Sequence, residues 1–222
     1  IRNRTLSIDR FEALEIQLPP INEQRRISAN LDCVAAVAGE AARLTESASK
    51  ISAAIGVSLA TRPDLSDEAK RALGWRKIPL SDAVKASGTS VAVEPGNRYR
   101  IAGVYSFGKG LIDRGWIMGS ETSYSTLTRI AFGDIVLSKL NGWEGAIAVV
   151  DEKMDGSYVS PEYPVFVPRT GALRSEYFAG MAASPAFWDA LDTSTRGSMV
   201  RRRRINPSDF LATQVWIPPI DF

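Results

Sequence analysis

Histidine is absent from the 222 residues, and cysteine occurs once, as Cys33. One cysteine leaves no disulfide within the chain. Without histidine, the usual zinc sites and imidazole-based acid–base sites are excluded, which removes most hydrolase chemistry. No apolar run approaches the roughly 18 residues that span a bilayer, and no charged-then-apolar leader precedes Ile1, so a cytoplasmic protein with no membrane contact is expected. No Gly-rich loop stands in the strand–helix setting that cradles a nucleotide. What remains, 45% hydrophobic and 23% charged, is the composition of a globular protein, with chain enough for one well-cored domain and an extended element or for two small domains. The net charge is only +2, yet Arg196, Arg201, Arg202, Arg203 and Arg204 put five arginines into nine residues. Local charge there is strongly positive.

Residues 1–21, IRNRTLSIDRFEALEIQLPPI, recur in degenerate form as residues 200–220, VRRRRINPSDFLATQVWIPPI. At an offset of 199, Arg2 meets Arg201, Arg4 meets Arg203, Phe11 meets Phe210, Ala13 meets Ala212, and Pro19-Pro20-Ile21 meet Pro218-Pro219-Ile220. A period so much longer than a solenoid repeat makes a whole domain plus its connector the repeating unit. Residues 1–21 are therefore the terminal segment of a preceding repeat. Together with the non-Met start, this suggests a piece of a longer protein, with processing or permutation as alternatives.

Pro19-Pro20 blocks any helix before it, and Asn22 offers an acceptor for the next turn, so a helix is expected over residues 22–60. Ile27, Leu31, Val34, Ala38, Ala41, Thr45, Ala48, Ser52, Ile55 and Leu59 alternate four and three apart, forming a heptad seam. The seam is rich in Ala and Ser, so a partner helix must approach closely. A coiled-coil spacer is favoured over a long core helix by the length, which no proline interrupts and only Gly39 and Gly56 punctuate, and by the proline-bounded start.

Residues 61–74 form a linker with a short helix, started by Ser66 or Asp67 and closed by Gly74. From Trp75 the texture changes to short strands with Gly and Asn turns, in YRIAGVYS, GDIVLSKL, GAIAVV, YVS and YPVFVP. Two short helices broken at Ser184-Pro185, the basic stretch and a closing strand TQVWIPP complete a domain over 75–222. The fold class is α+β: a mixed, β-rich domain attached to a long coiled-coil-forming helix.

The ordered series LPPINEQRRI (18–27), WRKIPLSDAV (75–84), GDIVLSKLNGWEGAIAVV (133–150), SPEYPVF (160–166), SEYFAGMAASPAFWDAL (175–191) and RRRRINPSDFLATQVWIPPI (201–220) resembles the specificity subunit of type I restriction–modification systems. The resemblance implies a noncatalytic protein whose target-recognition domains each read one part of a bipartite double-stranded DNA target. In that family the helices act as a ruler and dock the DNA methyltransferase (modification) subunits, alongside a restriction subunit. It implies no cofactor bound by this chain, with S-adenosylmethionine, ATP and Mg belonging to partner subunits. The family carries two recognition domains per chain; here one is complete, and two copies could pair through the helix, as a homodimer, in place of the missing helix.

Within that reading the candidate DNA-binding residues are Arg98, Arg100, Lys109, Arg114, Lys139, Asn141, Arg196, Arg201, Arg202, Arg203 and Arg204. Arginine donates bidentately to phosphate or guanine, lysine binds phosphate, and asparagine pairs with adenine. In alternating geometry about two of Arg201–Arg204 contact DNA while the others pair with acids or solvent. Plain structure competes at each place: a solvated charged loop for the arginine run, an Asn-Gly hairpin turn for Ser138–Trp143, exposed loops for the basic and aromatic residues Arg98, Tyr99, Arg100, Ser106, Lys109, Arg114 and Tyr124. The candidate association seam is Ile27, Leu31, Val34, Ala38, Ala41, Ala48, Ile55 and Leu59. Two catalytic look-alikes fail. The Pro-Pro motifs lack the polar residue that holds a target amine, and Asp64 with Glu68 and Lys70 are too close in sequence for a strand-borne metal site. The rival functions are a stand-alone coiled-coil DNA-binding regulator and a protein-binding scaffold.

Overall fold

The computed structural model describes residues 8–193 and 204–219, and the chain divides into two compact units, Ile1–Ile51 and Ser52–Phe222. In the first unit a short helix α1 (Ile8–Glu12) is followed by an irregular stretch and then by helix α2 (Ile21–Thr61), 41 residues that continue into the second unit. At 1.5 Å per residue α2 is about 60 Å long. It starts one residue before the expected Asn22. The Pro20 carbonyl accepts from the amides of Glu23 and Gln24, and the Gln24 side chain, rather than Asn22, reaches back to the Pro19 carbonyl at 2.8 Å.

Helix α2 ends where Arg62 adopts φ 42° and donates its amide to the Ser58 carbonyl, with Pro63 next in line. The last turns of α2 belong to the second unit and pack closely. A Cβ on Gly180 would lie 3.0 Å from both the Ala60 Cβ and the Gly56 carbonyl oxygen, so small residues on both sides permit the contact. The Tyr177 hydroxyl lies 2.9 Å from the Ala60 carbonyl and 2.8 Å from the Trp216 carbonyl, donating to them. It thereby caps one of the carbonyls that a helix end leaves without an intrahelical donor. Burial pushes this hydroxyl above the ordinary tyrosine range. Tyr177→Phe is expected to cost about 1–2 kcal/mol in urea denaturation with an unchanged m-value, because it strands a buried carbonyl without changing shape.

The segment expected to be a linker forms α3 (Asp67–Ala72), capped by the Ser66 side chain, which accepts from the Ala69 amide. Gly74 closes it at φ 78°, with the Gly74 amide donating to Arg71 and the Trp75 amide to Lys70. Lys70 is buried, its ammonium over the rings of Trp75 and Trp216 at 5.7 and 6.0 Å. The segment is thus packed onto the domain. Strand β1 (Arg76–Pro79), α4 (Leu80–Ala83), β2 (Val84–Ser87), β3 (Thr89–Ala92), β4 (Arg98–Val104), β5 (Leu111–Met118), β6 (Thr126–Arg129), β7 (Ile135–Leu137), β8 (Ile147–Val149), β9 (Tyr158–Val159) and β10 (Val165–Pro168) follow. Then come α5 (Ser175–Ala182), α6 (Pro185–Thr193), α7 (Pro207–Ala212) and β11 (Gln214–Ile217).

Strands β1 and β11 form an antiparallel pair, β2-β10-β7-β8 a four-stranded sheet, and β3-β6-β9-β4-β5 a five-stranded one. Strands β7, β8 and β10 of the four-stranded sheet are covered on both faces, whereas the edge strand β2 is exposed beyond Val84. Ile135, Leu137, Ile147 and Phe166 join Phe178, Leu191, Ile205, Phe210, Val215 and Ile217 on one side. Val136, Ala148 and Val165 join Ala102, Val104, Ile130 and Val159 on the other. This is why DIVL and AIAVV read as unbroken apolar runs rather than alternating ones.

The two copies of the repeat have opposite fates. Helix α1 matches α7 at the same offset, yet Phe11 is 66% exposed and Ile16 and Leu18 are exposed, whereas their counterparts Phe210, Val215 and Ile217 are all buried. The second copy completes a sheet by pairing with β1; the first forms no strand among the described residues.

Candidate nucleic-acid interface

Two strand connections meet at one edge of the domain. The first, 105–110, joins β4 to β5 and is closed by the Tyr105 amide donating to the Gly110 carbonyl at 2.9 Å. The second, 138–146, joins β7 to β8. It is not a two-residue Asn-Gly turn, because Asn141 has φ −121° and ψ 13°, Gly142–Glu144 form a single 3₁₀ turn, and Gly145 turns left-handed at φ 76°. The Asn141 carbonyl accepts from the amides of Glu144 and Ala146, which makes the loop compact.

The two loops are bonded to each other. The Phe107 amide donates to the Glu144 carbonyl at 2.7 Å, and the Gly108 amide to the Gly145 carbonyl at 3.0 Å. Trp188 of α6 is the floor: a Cβ on Gly145 would lie 2.3 Å from its ring, and one on Gly108 3.4 Å. Its indole Nε1 donates to the Ala182 carbonyl at 2.7 Å. A third segment joins through Lys139, whose carbonyl accepts from the Ile205 amide at 2.9 Å and whose own amide donates to the Glu162 carbonyl at 3.1 Å.

This edge gathers Lys109, Lys139, Asn141 and Arg204. Lys109 is exposed with its ammonium 5.9 Å from the Phe107 ring centroid, and Asn141 is exposed. The Lys139 ammonium donates to the Pro161 carbonyl at 2.8 Å, and Arg204 pairs with Glu162. The Glu162 pairing was not legible in sequence, since the partners are 42 residues apart. Arg196, Arg201, Arg202 and Arg203 lie outside the described residues.

The other candidates sit on the β4–β5 ribbon. Arg98 stacks on Trp116 at 5.4 Å, and Trp116 is 59% exposed. Arg100 is tied down: it pairs with Asp113 at 2.7 Å and donates to the Lys153 carbonyl at 2.6 Å. The pairing holds the Asp113 carboxyl below the usual carboxylate range. Arg114 lies along β4, its Nε 2.6 Å from where a Cβ on Gly103 would be. Tyr99 is a core residue. Its ring meets Tyr158 edge-on, and its hydroxyl accepts from the Glu94 amide. Phe107 and Trp116, which the basic pattern alone does not single out, stand beside cations as aromatic faces of the kind that stack on bases. Ser106 donates to Glu144 at 3.4 Å.

The candidate association seam lies on α2. Ile27, Leu31, Val34, Ala38, Ala41, Ala48, Ile55 and Leu59 are all exposed, as are Val37, Leu44 and Ile51, one place off it. Among the described residues no cluster of three or more Asp, Glu or Cys side chains is placed to hold a metal ion, and no helix is long and apolar enough to cross a membrane.

A long helix joined to a mixed α+β domain is the fold shared with solved type I restriction–modification specificity subunits. The chain resembles the HsdS subunit from Thermoanaerobacter tengcongensis in its crystal structure, with a TM-score of 0.54 and 17% sequence identity, over 67% of this chain and 39% of that one. A chain from a structure concerned with complex assembly and conformational transition of the type I R-M system matches with a TM-score of 0.55 at 17% identity, over 66% and 38% of the respective chains. This chain matches less than two fifths of the length of either. No protein-family model and no curated protein matches it.

Proposed function

We propose that this chain is a noncatalytic DNA-sequence-recognition module of a type I restriction–modification complex, reading one half of a bipartite target. The observation that carries the reading is the hydrogen-bonded edge on which Lys109, Lys139, Asn141 and Arg204 come together from three separate segments, on a fold shared with HsdS. Cations bonded to a fixed scaffold set register on phosphates, and an exposed amide between them reads a base edge. Helix α2 is the spacer that docks modification subunits, and its exposed seam pairs two copies. Residues 1–21 are the closing piece of a preceding recognition domain, a role supported by the bare Phe11, Ile16 and Leu18. S-adenosylmethionine, ATP and Mg act in the partner subunits.

The test is DNA binding across a salt series. Lys109→Ala is expected to weaken binding to all sequences about equally and to lower the salt slope by about one unit. Asn141→Ala is expected to cost roughly 1–3 kcal/mol on the preferred half-site and to relax specificity there. Arg100→Ala, which removes a guanidinium already paired with Asp113, should leave the slope nearly unchanged. A folded Lys109 and Lys139 double variant that keeps the parent slope would overturn the site. The exposed seam also suits a stand-alone dimeric regulator, and copurification with a methyltransferase subunit separates the two.

A further inference from the structure

Phe107 holds φ 63°, a left-handed conformation that a bulky aromatic residue rarely adopts. Glycine is the default there, and the loop already uses it at Gly108 and Gly110, both at positive φ. Burial does not account for the choice of phenylalanine, because the side chain is 57% exposed and its ring only meets Trp188 edge-on, with centroids 6.1 Å apart. Neither local conformation nor the core therefore asks for an aromatic at this position. The surroundings nonetheless fix it in place. Its amide is bonded to Glu144, that of Gly108 to Gly145, and a Cβ on Gly108 would lie 2.7 Å from the Ala183 Cα. A strained residue kept by an over-determined surrounding is the pattern of a functional group.

The Lys109 ammonium against the ring selects the partner. Lysine is depleted from the dry centre of protein interfaces, where its charge would have to be desolvated. Beside a polyanion the same ammonium meets phosphate while the ring meets bases. We propose that Phe107 is an apolar wedge that inserts between two stacked base pairs of the recognised half-site, with Lys109 on the adjoining phosphate. This rests on the reading of the domain as a DNA-recognition module. The wedge adds specificity at a step that no hydrogen bond reads, because pyrimidine–purine steps part more readily than others.

The experiment takes the full chain, a pool of short duplexes of randomised sequence, and the duplexes it enriches. Adenines of an enriched duplex are replaced one at a time by 2-aminopurine, whose fluorescence rises on unstacking. The parent is expected to brighten one step. Phe107→Gly, which relieves the positive φ and so should raise the melting temperature, is expected to abolish the brightening and to weaken the enriched duplex by about 10-fold or more. Phe107→Leu should retain part of both. An enriched duplex in which no position brightens, or a Phe107→Gly variant that brightens it as the parent does, overturns the wedge and leaves DNA recognition standing. A chain that enriches no duplex overturns the recognition reading, and the wedge falls with it.

Discussion

Phe210→Ala is expected to cost about 3–5 kcal/mol, while Phe11→Ala, the same change at the equivalent place of the repeat, stays within about 0.5 kcal/mol. Phe210 is fully buried, its ring 4.7 Å from that of Phe166 and 6.4 Å from that of Phe178, at the junction of α7, the four-stranded sheet and α5. Truncation there loses the transfer energy of a benzyl group and leaves a cavity that these neighbours cannot collapse into. Phe11 has two thirds of its surface in water already. Urea denaturation of the two variants side by side measures the difference. Equal destabilisation by both would mean that the first copy of the repeat is packed against a core of its own.

The second large effect is expected on association. Replacing both Leu31 and Ile55 by Asp should convert an associated species to monomers in sedimentation velocity while leaving the β-rich unit folded by near-ultraviolet circular dichroism. Leu31 is 63% and Ile55 54% exposed, so neither supports the fold of its own chain. Each side chain gains about 1.5–3 kcal/mol if a partner helix covers it, and a buried unpaired carboxylate reverses that gain. Surface pairs do not compete: Glu23–Arg26, Glu40–Arg43 and Glu46–Lys50 are exposed, one helical turn apart, and support the helix by tenths of a kcal/mol. A parent that is strictly monomeric across micromolar concentrations would contradict the seam.

The helix and the domain texture were legible because each follows from local pattern. Pro19-Pro20 and Arg62-Pro63 bound α2 almost to the residue, Ser184-Pro185 separates α5 from α6, and the strands covered on both faces announce themselves in unbroken apolar runs. The candidate site was legible by residue type only. Lys139 could be singled out as a cation, but its bond to the Pro161 carbonyl spans 22 residues and the bond of Arg100 to Lys153 spans 53. Phe107 gave no signal, since its backbone state contradicts the preference of the residue. Tyr99 gave a misleading one. It stands between two arginines on β4 and, with a strand's alternation, points inward while they do not.

The duplicated segment also bears on how such a chain changes over generations. Phe11 and Phe210, Ile16 and Val215, and Leu18 and Ile217 occupy matching places, and the proline pair that follows is identical in both copies. An unequal crossover between the copies would delete or insert 199 residues and still leave each junction with a helix, a closing strand and the proline pair in unbroken reading order. The joint lies where every product inherits the Phe that the core requires. A domain flanked in this way can therefore be lost, gained or exchanged as a whole cassette, with no new interface having to evolve at the seam.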